Sequence, residues 1–332
     1  MSQSVTHEQD KTRPLLSIVV PVYNEQEVLP EFQKRLSKVL DDLQASTEII
    51  YVNDGSRDKS LLLLHQLRNT DERVAVVNLS RNFGKEIALT AGLDHSRGKA
   101  VIVIDADLQD PPELIPELIA RWRDGFDVVY ATRITRDGET LAKRFTALCF
   151  YRIMKAMSQV EIPVNTGDFR LLSRRAVDSL CQLREQHRFM KGLFAWIGYP
   201  QTSVPYNRDP RFAGKTKWNY WKLWNFALEG ITSFSTAPLK VASYFGLATA
   251  ASAFAYAIWI IYKTIRFGDP VAGYPSLVVI VLFLGGIQLT TLGIIGEYLS
   301  RMFNEVKQRP LYIVETYQGP QQAGIKNAEF EG

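Results

Sequence analysis

Residues 100–110 read AVIVIDADLQD, an apolar strand pattern that stops at a group of acidic side chains. Similar apolar runs occupy residues 16–20, 48–52, 74–79 and 127–131, and amphipathic helical patterns fill the intervals at 25–43, 58–67, 84–95 and 112–123. Strand and helix alternating at this spacing predict an α/β domain whose mostly parallel sheet is covered on both faces. Ligands of such sheets bind at the carboxyl ends of the strands, so the chemistry is expected there.

Polar residues follow three of these strands, as PVYNE at 21–25, NDGSRD at 53–58 and DADLQD at 105–110. A single Asp or Asn at such a place caps a helix or forms a turn. Asp105 and Asp107, however, repel each other unless a cation lies beside them. Together with Gln109 they offer oxygen ligands on alternate residues, which suits a hard divalent ion such as Mg²⁺. Because Mg²⁺ usually shares its ligand sphere with substrate phosphates, the pattern indicates a nucleotide diphosphate substrate.

Several classes of protein are disfavoured. The chain has neither G-x-G-x-x-G after its first strand nor G-x-x-x-x-G-K-[ST], the dinucleotide and P-loop fingerprints. Thirty-nine Lys and Arg against 35 Asp and Glu give a net charge of +4, too little for a nucleic-acid-binding protein. Cys149 and Cys181 have no spacing typical of a disulfide framework or a zinc site. Residues 1–14 lack the apolar segment of a signal peptide and are predicted to form a flexible tail.

Two uncharged segments lie near the C-terminus, where residues 241–296 contain only three charges. A helix of about 20 residues crosses a bilayer core, so we predict a transmembrane hairpin with spans at about 241–262 and 275–296. The alternative is a buried helical hairpin of a soluble domain. Basic residues outside both spans place the termini in the cytoplasm. The predicted division is an α/β domain at 15–210, a basic loop and interfacial helix at 211–239, the hairpin at 240–300 and a cytoplasmic tail at 301–332.

Two further segments, 140–158 and 218–234, mix basic with apolar and aromatic residues. Helices of this composition lie on membrane surfaces. For the first segment, packing in the protein core is the alternative.

Four motifs, VPVYNE at 20–25, VNDGS at 52–56, NLSRNFGK at 78–85 and DADLQDPP at 105–112, resemble those of the GT-A fold family 2 glycosyltransferases. The likeness is greatest to the polyprenyl-phosphate glucosyltransferases of the bactoprenol (GtrB) type, which are related to dolichol-phosphate mannose synthases. It covers about residues 15–310, including the hairpin. The resemblance implies a multi-pass enzyme of the bacterial inner membrane with a cytoplasmic GT-A domain. Such an enzyme transfers one sugar, preferably glucose from UDP-glucose, to undecaprenyl or a similar polyprenyl phosphate with inversion, and releases UDP.

The resemblance also implies roles for particular residues. The uridine pocket would consist of Pro21, Tyr23, Glu25 and Asp54. Ribose and a metal ion, Mg²⁺ or Mn²⁺, would be bound by Asp105 and Asp107, with Gln109 as a further metal ligand. Basic residues that match family positions facing phosphate are Arg133, Arg211 and Lys217.

Asp168 matches the family's candidate general base. A lipid phosphate is largely ionised near neutral pH and needs little deprotonation, so Asp168 could instead orient the acceptor or the sugar. A third interpretation is a strand-start Asp paired with Arg170.

Other functions remain open from the sequence. The same reaction could use GDP-mannose or another UDP-sugar. From a different class, the chain could be a non-catalytic nucleotide-sugar-binding membrane protein, although Asp105, Asp107 and Gln109 are all present. A processive polysaccharide synthase is disfavoured because the Gln-x-x-Arg-Trp motif is missing. Two spans are too few for a sugar channel, so a flippase and a downstream glycosyltransferase are expected in modification of a surface polysaccharide such as O-antigen. A homo-oligomer is left open.

Overall fold

The computed structural model describes residues 13–134, 166–186, 188–206, 237–267 and 273–321. Within them, one sheet is formed by β1 (Leu16–Val22), β2 (Thr47–Asn53), β3 (Val74–Leu79), β4 (Ala100–Val103), β5 (Val128–Arg133), β6 (Thr166–Ser173), β7 (Gln201–Tyr206) and β8 (Val314–Gln318). The helices are α1 (Leu29–Asp42), α2 (Ser60–Thr70), α3 (Lys85–His95), α4 (Ile115–Arg123), α5 (Arg174–Gln182), α6 (Met190–Trp196), α7 (Ala237–Phe267) and α8 (Tyr274–Val306).

All five predicted strands and four predicted helices are confirmed, with small shifts at their ends. The first helix begins at Leu29 rather than at residue 25. Residues 25–28 form a turn in which the Glu25 carbonyl accepts from the Val28 and Leu29 N–H groups. Pro30 then lies in the first helical turn, where its missing N–H costs nothing.

The strand order is β7-β5-β6-β4-β1-β2-β3-β8. The block β4-β1-β2-β3 is parallel, as predicted, and β5 pairs in parallel with β7. Strand β6 lies between β4 and β5 and is antiparallel to both. This α/β sheet, mostly parallel, confirms the fold class predicted for residues 15–210.

The sheet is covered on both faces, and β2 shows how its residues alternate between them. Ile49 and Tyr51 are buried in the layer that contains α1, α2 and α4. Ile50 and Val52 are buried in the opposite layer with α3 and α5. This period of two is the one that a strand buried on both sides requires.

The last strand, β8, was not predicted, because residues 301–332 were assigned to a tail. It pairs antiparallel with β3 and covers that edge of the sheet. On the way from α8 to β8, the Tyr312 hydroxyl donates to Asp94 at 2.7 Å. The Gln186 backbone N–H donates to Glu305 near the end of α8 at 2.7 Å. The chain end therefore connects the second long helix to the α/β domain.

The two long helices, α7 and α8, contact each other and contain the predicted segments 241–262 and 275–296. Large apolar side chains on them are exposed, among them Phe245, Leu247, Phe254 and Leu289. Within the described residues, no helix reaches the combined length and hydropathy of a membrane span. That this pair crosses a bilayer stays a prediction. The two predicted interfacial segments lie outside the described residues.

Candidate active site

The carboxyl ends of β1 and β2 form one side of the site. The Asp54 backbone N–H donates to the Val22 carbonyl at 2.9 Å, so the residues that follow the two strands are neighbours. Asn24, with φ of 55°, turns the chain after β1, and its N–H donates to Ser56 Oγ at 3.0 Å. The Tyr23 ring is 36 % exposed at this edge. The structure thus brings together the residues predicted to bind nucleotide here, Pro21, Tyr23, Glu25 and Asp54.

Asp54 is buried, and both of its carboxylate oxygens bind the loop before α3. Oδ1 accepts from the Phe83 N–H at 2.7 Å, and Oδ2 accepts from the Gly84 N–H and from Asn82 Nδ2, each at 3.0 Å. Burial raises the pKa of Asp54, although the Phe83 and Gly84 N–H groups and the charge of Arg81 partly oppose the shift. Asp54 therefore holds residues 82–84 against the end of β2, and its predicted contact with the base stays a prediction.

Asp105 and Asp168 meet because of the antiparallel register of β4 and β6. Val103 pairs with Arg170, and continuing that register two residues past the end of β4 sets Asp105 opposite Asp168. Lys85, the first residue of α3, lies between them. Its Nζ is 2.6 Å from Asp105 Oδ2 and 2.5 Å from Asp168 Oδ2. One ammonium thus bridges two carboxylates that are 63 residues apart in sequence.

The pKa values of the two bridged acids are shifted in opposite directions. Burial and the nearby charges of Asp168 and Asp110 raise the pKa of Asp105 to about 6, against the effect of Lys85. Burial also acts to raise the pKa of Asp168, but the charges of Lys85 and Lys191 outweigh it and hold that pKa below its ordinary value. Asp168 is therefore ionised at neutral pH. Its other oxygen, Oδ1, is buried and has no hydrogen-bond partner within the described part of the chain.

The predicted metal ligands follow β4 in a turn rather than on the strand itself, which ends at Val103. Their alternation nevertheless persists, because Asp105, Asp107 and Gln109 are partly exposed while the residues between them are buried. Leu108 has φ of 58°, and the Gln109 N–H donates to Asp107 Oδ1 at 3.2 Å.

The side-chain oxygens of Asp105, Asp107 and Gln109 suit a divalent ion whose remaining ligands are water and substrate phosphates. Among the described residues, no group of three or more His, Cys, Asp and Glu could hold a metal by itself. Two carboxylates and an amide suit Mg²⁺ or Mn²⁺, since Mg²⁺ typically keeps waters and binds substrate phosphates.

Arg133, at the end of β5, lies on the other side of Asp168. A Cβ built on Gly167 would be 3.3 Å from Arg133 Nη2, so the guanidinium passes over the residue next to Asp168. Arg133 Nε donates to the Tyr206 hydroxyl at 3.4 Å, and that hydroxyl donates to Asp110. Arg133 is thus positioned by β7 and by the acidic turn.

Arg170 does not pair with the carboxylate of Asp168, contrary to one interpretation of the sequence. Its guanidinium is buried, lies 3.7 Å from the centre of the Phe194 ring, and donates to the Gly167 and Asp168 carbonyls. Because side chains of β6 alternate between the two faces of the sheet, Arg170 lies on the same face as Asp168, two residues further along the strand. The carboxylate pairs with Lys85 instead.

Arg211 and Lys217 lie outside the described residues, and their predicted phosphate contacts stay predictions. Sequence reasoning did not assign roles to Lys85, Asp110 or Tyr206. Lys85 ends the NLSRNFGK motif and Asp110 ends DADLQD, so their positions in these motifs could have indicated a functional role. No sequence motif indicated a role for Tyr206, because only the parallel pairing of β5 with β7 brings it to Arg133.

The glycosyl transferase family 2 profile matches residues 17–181, and the GtrB C-terminal hairpin profile matches residues 237–302. An uncharacterized glycosyltransferase of Synechocystis is 58% identical over 304 residues, which are 92% of this chain and 96% of that protein. The chain belongs to glycosyltransferase family 2. This glycosyltransferase is also 49% identical to the SfII prophage-derived bactoprenol glucosyl transferase of Shigella flexneri, over 90% of this chain and 97% of that protein.

A distant likeness is found among solved structures. Glucosyl-3-phosphoglycerate synthase from Mycobacterium tuberculosis, in complex with Mn²⁺, UDP-glucose and phosphoglyceric acid, is 20% identical to this glycosyltransferase, with a TM-score of 0.45. The match covers 68% of this chain and 79% of that one.

Proposed function

We propose that this glycosyltransferase transfers glucose from UDP-glucose to undecaprenyl phosphate or a similar polyprenyl phosphate and releases UDP. The observation that carries the proposal is the 49% identity to a bactoprenol glucosyl transferase over 97% of that protein's length. The alignment includes both the α/β domain and the hairpin, so the likeness extends to the part that would meet the lipid. The geometry of the site agrees, because acidic and basic side chains converge where strands end.

In this proposal the donor lies across the ends of β1, β2 and β4. Tyr23 would stack on the base, since its ring is partly exposed at the strand edge. The ion would be held by Asp105, Asp107 and Gln109, and when bound it supplies positive charge that stabilises the departing diphosphate. The specific ion and the sugar are part of the proposal.

Asp168 would orient the reacting groups rather than remove a proton. Its pKa is held below the ordinary value, which makes it a weak base and suits it to orienting groups rather than to deprotonating them. A lipid phosphate is already largely ionised near pH 7. Arg133 would bind that phosphate through its forked guanidinium. Attack opposite the leaving diphosphate inverts the anomeric carbon and gives a β-linked lipid-phosphate glucose.

We further propose that α7 and α8 anchor the enzyme in the bacterial inner membrane with the α/β domain in the cytoplasm. Exposed apolar side chains on both helices and the match to the GtrB hairpin support this. The product would then need a flippase, and a downstream glycosyltransferase would add the sugar to a surface polysaccharide. Protease protection of sealed vesicles tests the topology, since a hairpin loop accessible from the cytoplasmic side would contradict it.

The test of the reaction is purified enzyme in detergent with undecaprenyl phosphate, Mg²⁺ or Mn²⁺, and a panel of labelled nucleotide sugars. We expect labelled lipid from UDP-glucose, loss of activity with EDTA, and strong loss in Asp107→Asn. Asp42→Asn, at an exposed Asp that ends α1 and lies outside the acidic turn, is the control. Transfer only from GDP-mannose would refute the donor. Binding of UDP-glucose without transfer to any lipid phosphate would favour a non-catalytic binding protein.

A further inference from the structure

The ammonium group of Lys85 lies between the metal-side carboxylate of Asp105 and the acceptor-side carboxylate of Asp168. The two Nζ–carboxylate distances, 2.6 and 2.5 Å, are those of close, direct ion pairs. The exposed side-chain fractions fall from 43 % for Lys85 to 26 % for Asp105 and 11 % for Asp168. The ammonium therefore lies where solvent, and any ligand, first reaches the two acids.

The backbone of Lys85 is fixed while its side chain is long. Gly84, with φ of 102°, precedes the helix, and its N–H is bound by Asp54. Beyond Lys85, the middle of α3 is buried against the sheet, as at Ala88 and Leu89. A flexible four-carbon stem on an anchored Cα lets the ammonium change partners without movement of the main chain.

When a cation binds beside Asp105, its repulsion of the Lys85 ammonium forces that ammonium to change partners. A divalent ion at Asp105 and Asp107 competes with the ammonium for Asp105, because like charges repel at this distance. The released ammonium still reaches Asp168, and the phosphate oxygens that arrive with the ion are acceptors for it.

We propose that Lys85 occupies the cation position beside Asp105 in the ligand-free enzyme and transfers that contact to a substrate phosphate when the metal binds. Throughout the exchange it keeps Asp168 in place, and so acts as a positioning residue for Asp168 and a binding residue for phosphate. The inference deepens the proposed function, because it assigns the phosphate contact of that same site. The phosphate belongs either to the donor diphosphate or to the lipid acceptor.

Binding measurements without turnover test this inference separately from the reaction. Mn²⁺ titration followed by electron paramagnetic resonance is performed on full-length wild type, Lys85→Gln, Lys85→Arg and Lys59→Gln. Lys59 is an exposed lysine before α2, with no role in the site. We expect Lys85→Gln to bind Mn²⁺ about tenfold more tightly, because the competing charge is removed. Lys85→Arg and Lys59→Gln should remain near wild type.

UDP and farnesyl phosphate titrations in saturating Mn²⁺ identify the phosphate. Weaker UDP binding in Lys85→Gln assigns the contact to the donor, and weaker farnesyl phosphate binding assigns it to the acceptor. Unchanged binding of both, with Mn²⁺ affinity unchanged or reduced, would overturn the proposal and leave Lys85 as a structural ion pair. Failure of wild type to transfer sugar would refute the proposed function without affecting these titrations.

A measurement on wild type covers the case in which Lys85→Gln does not fold. Acetylation of Lys85 by a water-soluble reagent is followed by mass spectrometry. We expect Mn²⁺ alone to increase the modification rate about fivefold, and added UDP or farnesyl phosphate to reduce it again. A rate that Mn²⁺ leaves unchanged contradicts the exchange of partners.

Discussion

Replacing Asp54 with Asn distinguishes a loop-anchoring role from a base-binding role. In the structure, three donors point at the carboxylate, two at Oδ2 and one at Oδ1. Asn replaces one oxygen with an NH₂ group, so in either orientation at least one donor of residues 82–84 faces another donor. A hydrogen bond to a charged acceptor contributes about 1.5–3 kcal/mol. The loop is partly exposed and water can replace part of the loss, so we expect the lower value, about 1.5 kcal/mol.

The assay is thermal unfolding of the purified protein without ligand, combined with UDP titration. For a domain of this size the expected loss lowers the apparent Tm by about 3–6 °C. Asp54→Ala, which removes all three acceptor contacts, should lower it by roughly twice as much. Asp42→Asn, at an exposed Asp that ends α1, is the control, and the change should be within about 1 °C. An unchanged Tm for Asp54→Asn with tenfold weaker UDP binding would refute the loop role and favour base recognition.

Three further predictions concern stability and reactivity. The hydrogen bond from Arg175 lowers the pKa of Asp127, so this pair stabilises the folded state above about pH 4 and the contribution is lost as pH falls through the folded-state pKa. Asp127→Asn should therefore lower the Tm at pH 7 and approach wild type near pH 3, whereas a constant difference would contradict the assignment. Burial and then Asp94 raise the pKa of Cys181 to about 12, so in Cys149→Ser protein we expect alkylation by iodoacetamide at pH 8 about a thousandfold slower than for a free thiol. Alkylation within tenfold of the free-thiol rate would disprove it. Truncation before Val314 removes β8 and exposes the edge of β3, and it should lower the Tm by about 5 °C and promote aggregation in size-exclusion chromatography, whereas unchanged melting would show that β8 adds no stability.

Local sequence predicted the parallel half of the sheet because each strand there is a short apolar run between turn residues. It also predicted which strand ends carry chemistry, since the acidic turn at 105–110 has no explanation in packing alone. The requirement for glycine at position 55, by contrast, has a tertiary reason. Gly55 has φ of 63°, and a Cβ there would lie 2.5 Å from the Arg81 carbonyl carbon.

The strands that sequence reasoning missed are those whose pairing depends on distant segments. Strand β8 lies beyond two long helices, and its short run VETYQ becomes a strand only against β3. The place of β6 between β4 and β5 likewise follows from long-range pairing, because hydrophobic period fixes which face a residue occupies but not which strand is its neighbour.

The amino-acid sequence by itself determined the α/β class, the acidic turn with its alternating oxygen ligands, and the two long apolar segments near the C-terminus. These are properties of neighbouring residues, namely periodicity, charge and spacing. Only the tertiary structure decided that Asp168 faces Asp105 and that Lys85 lies between them. The antiparallel pairing of β4 with β6 places two distant parts of the chain side by side. The Lys85 ammonium then contacts the carboxylates of both Asp105 and Asp168.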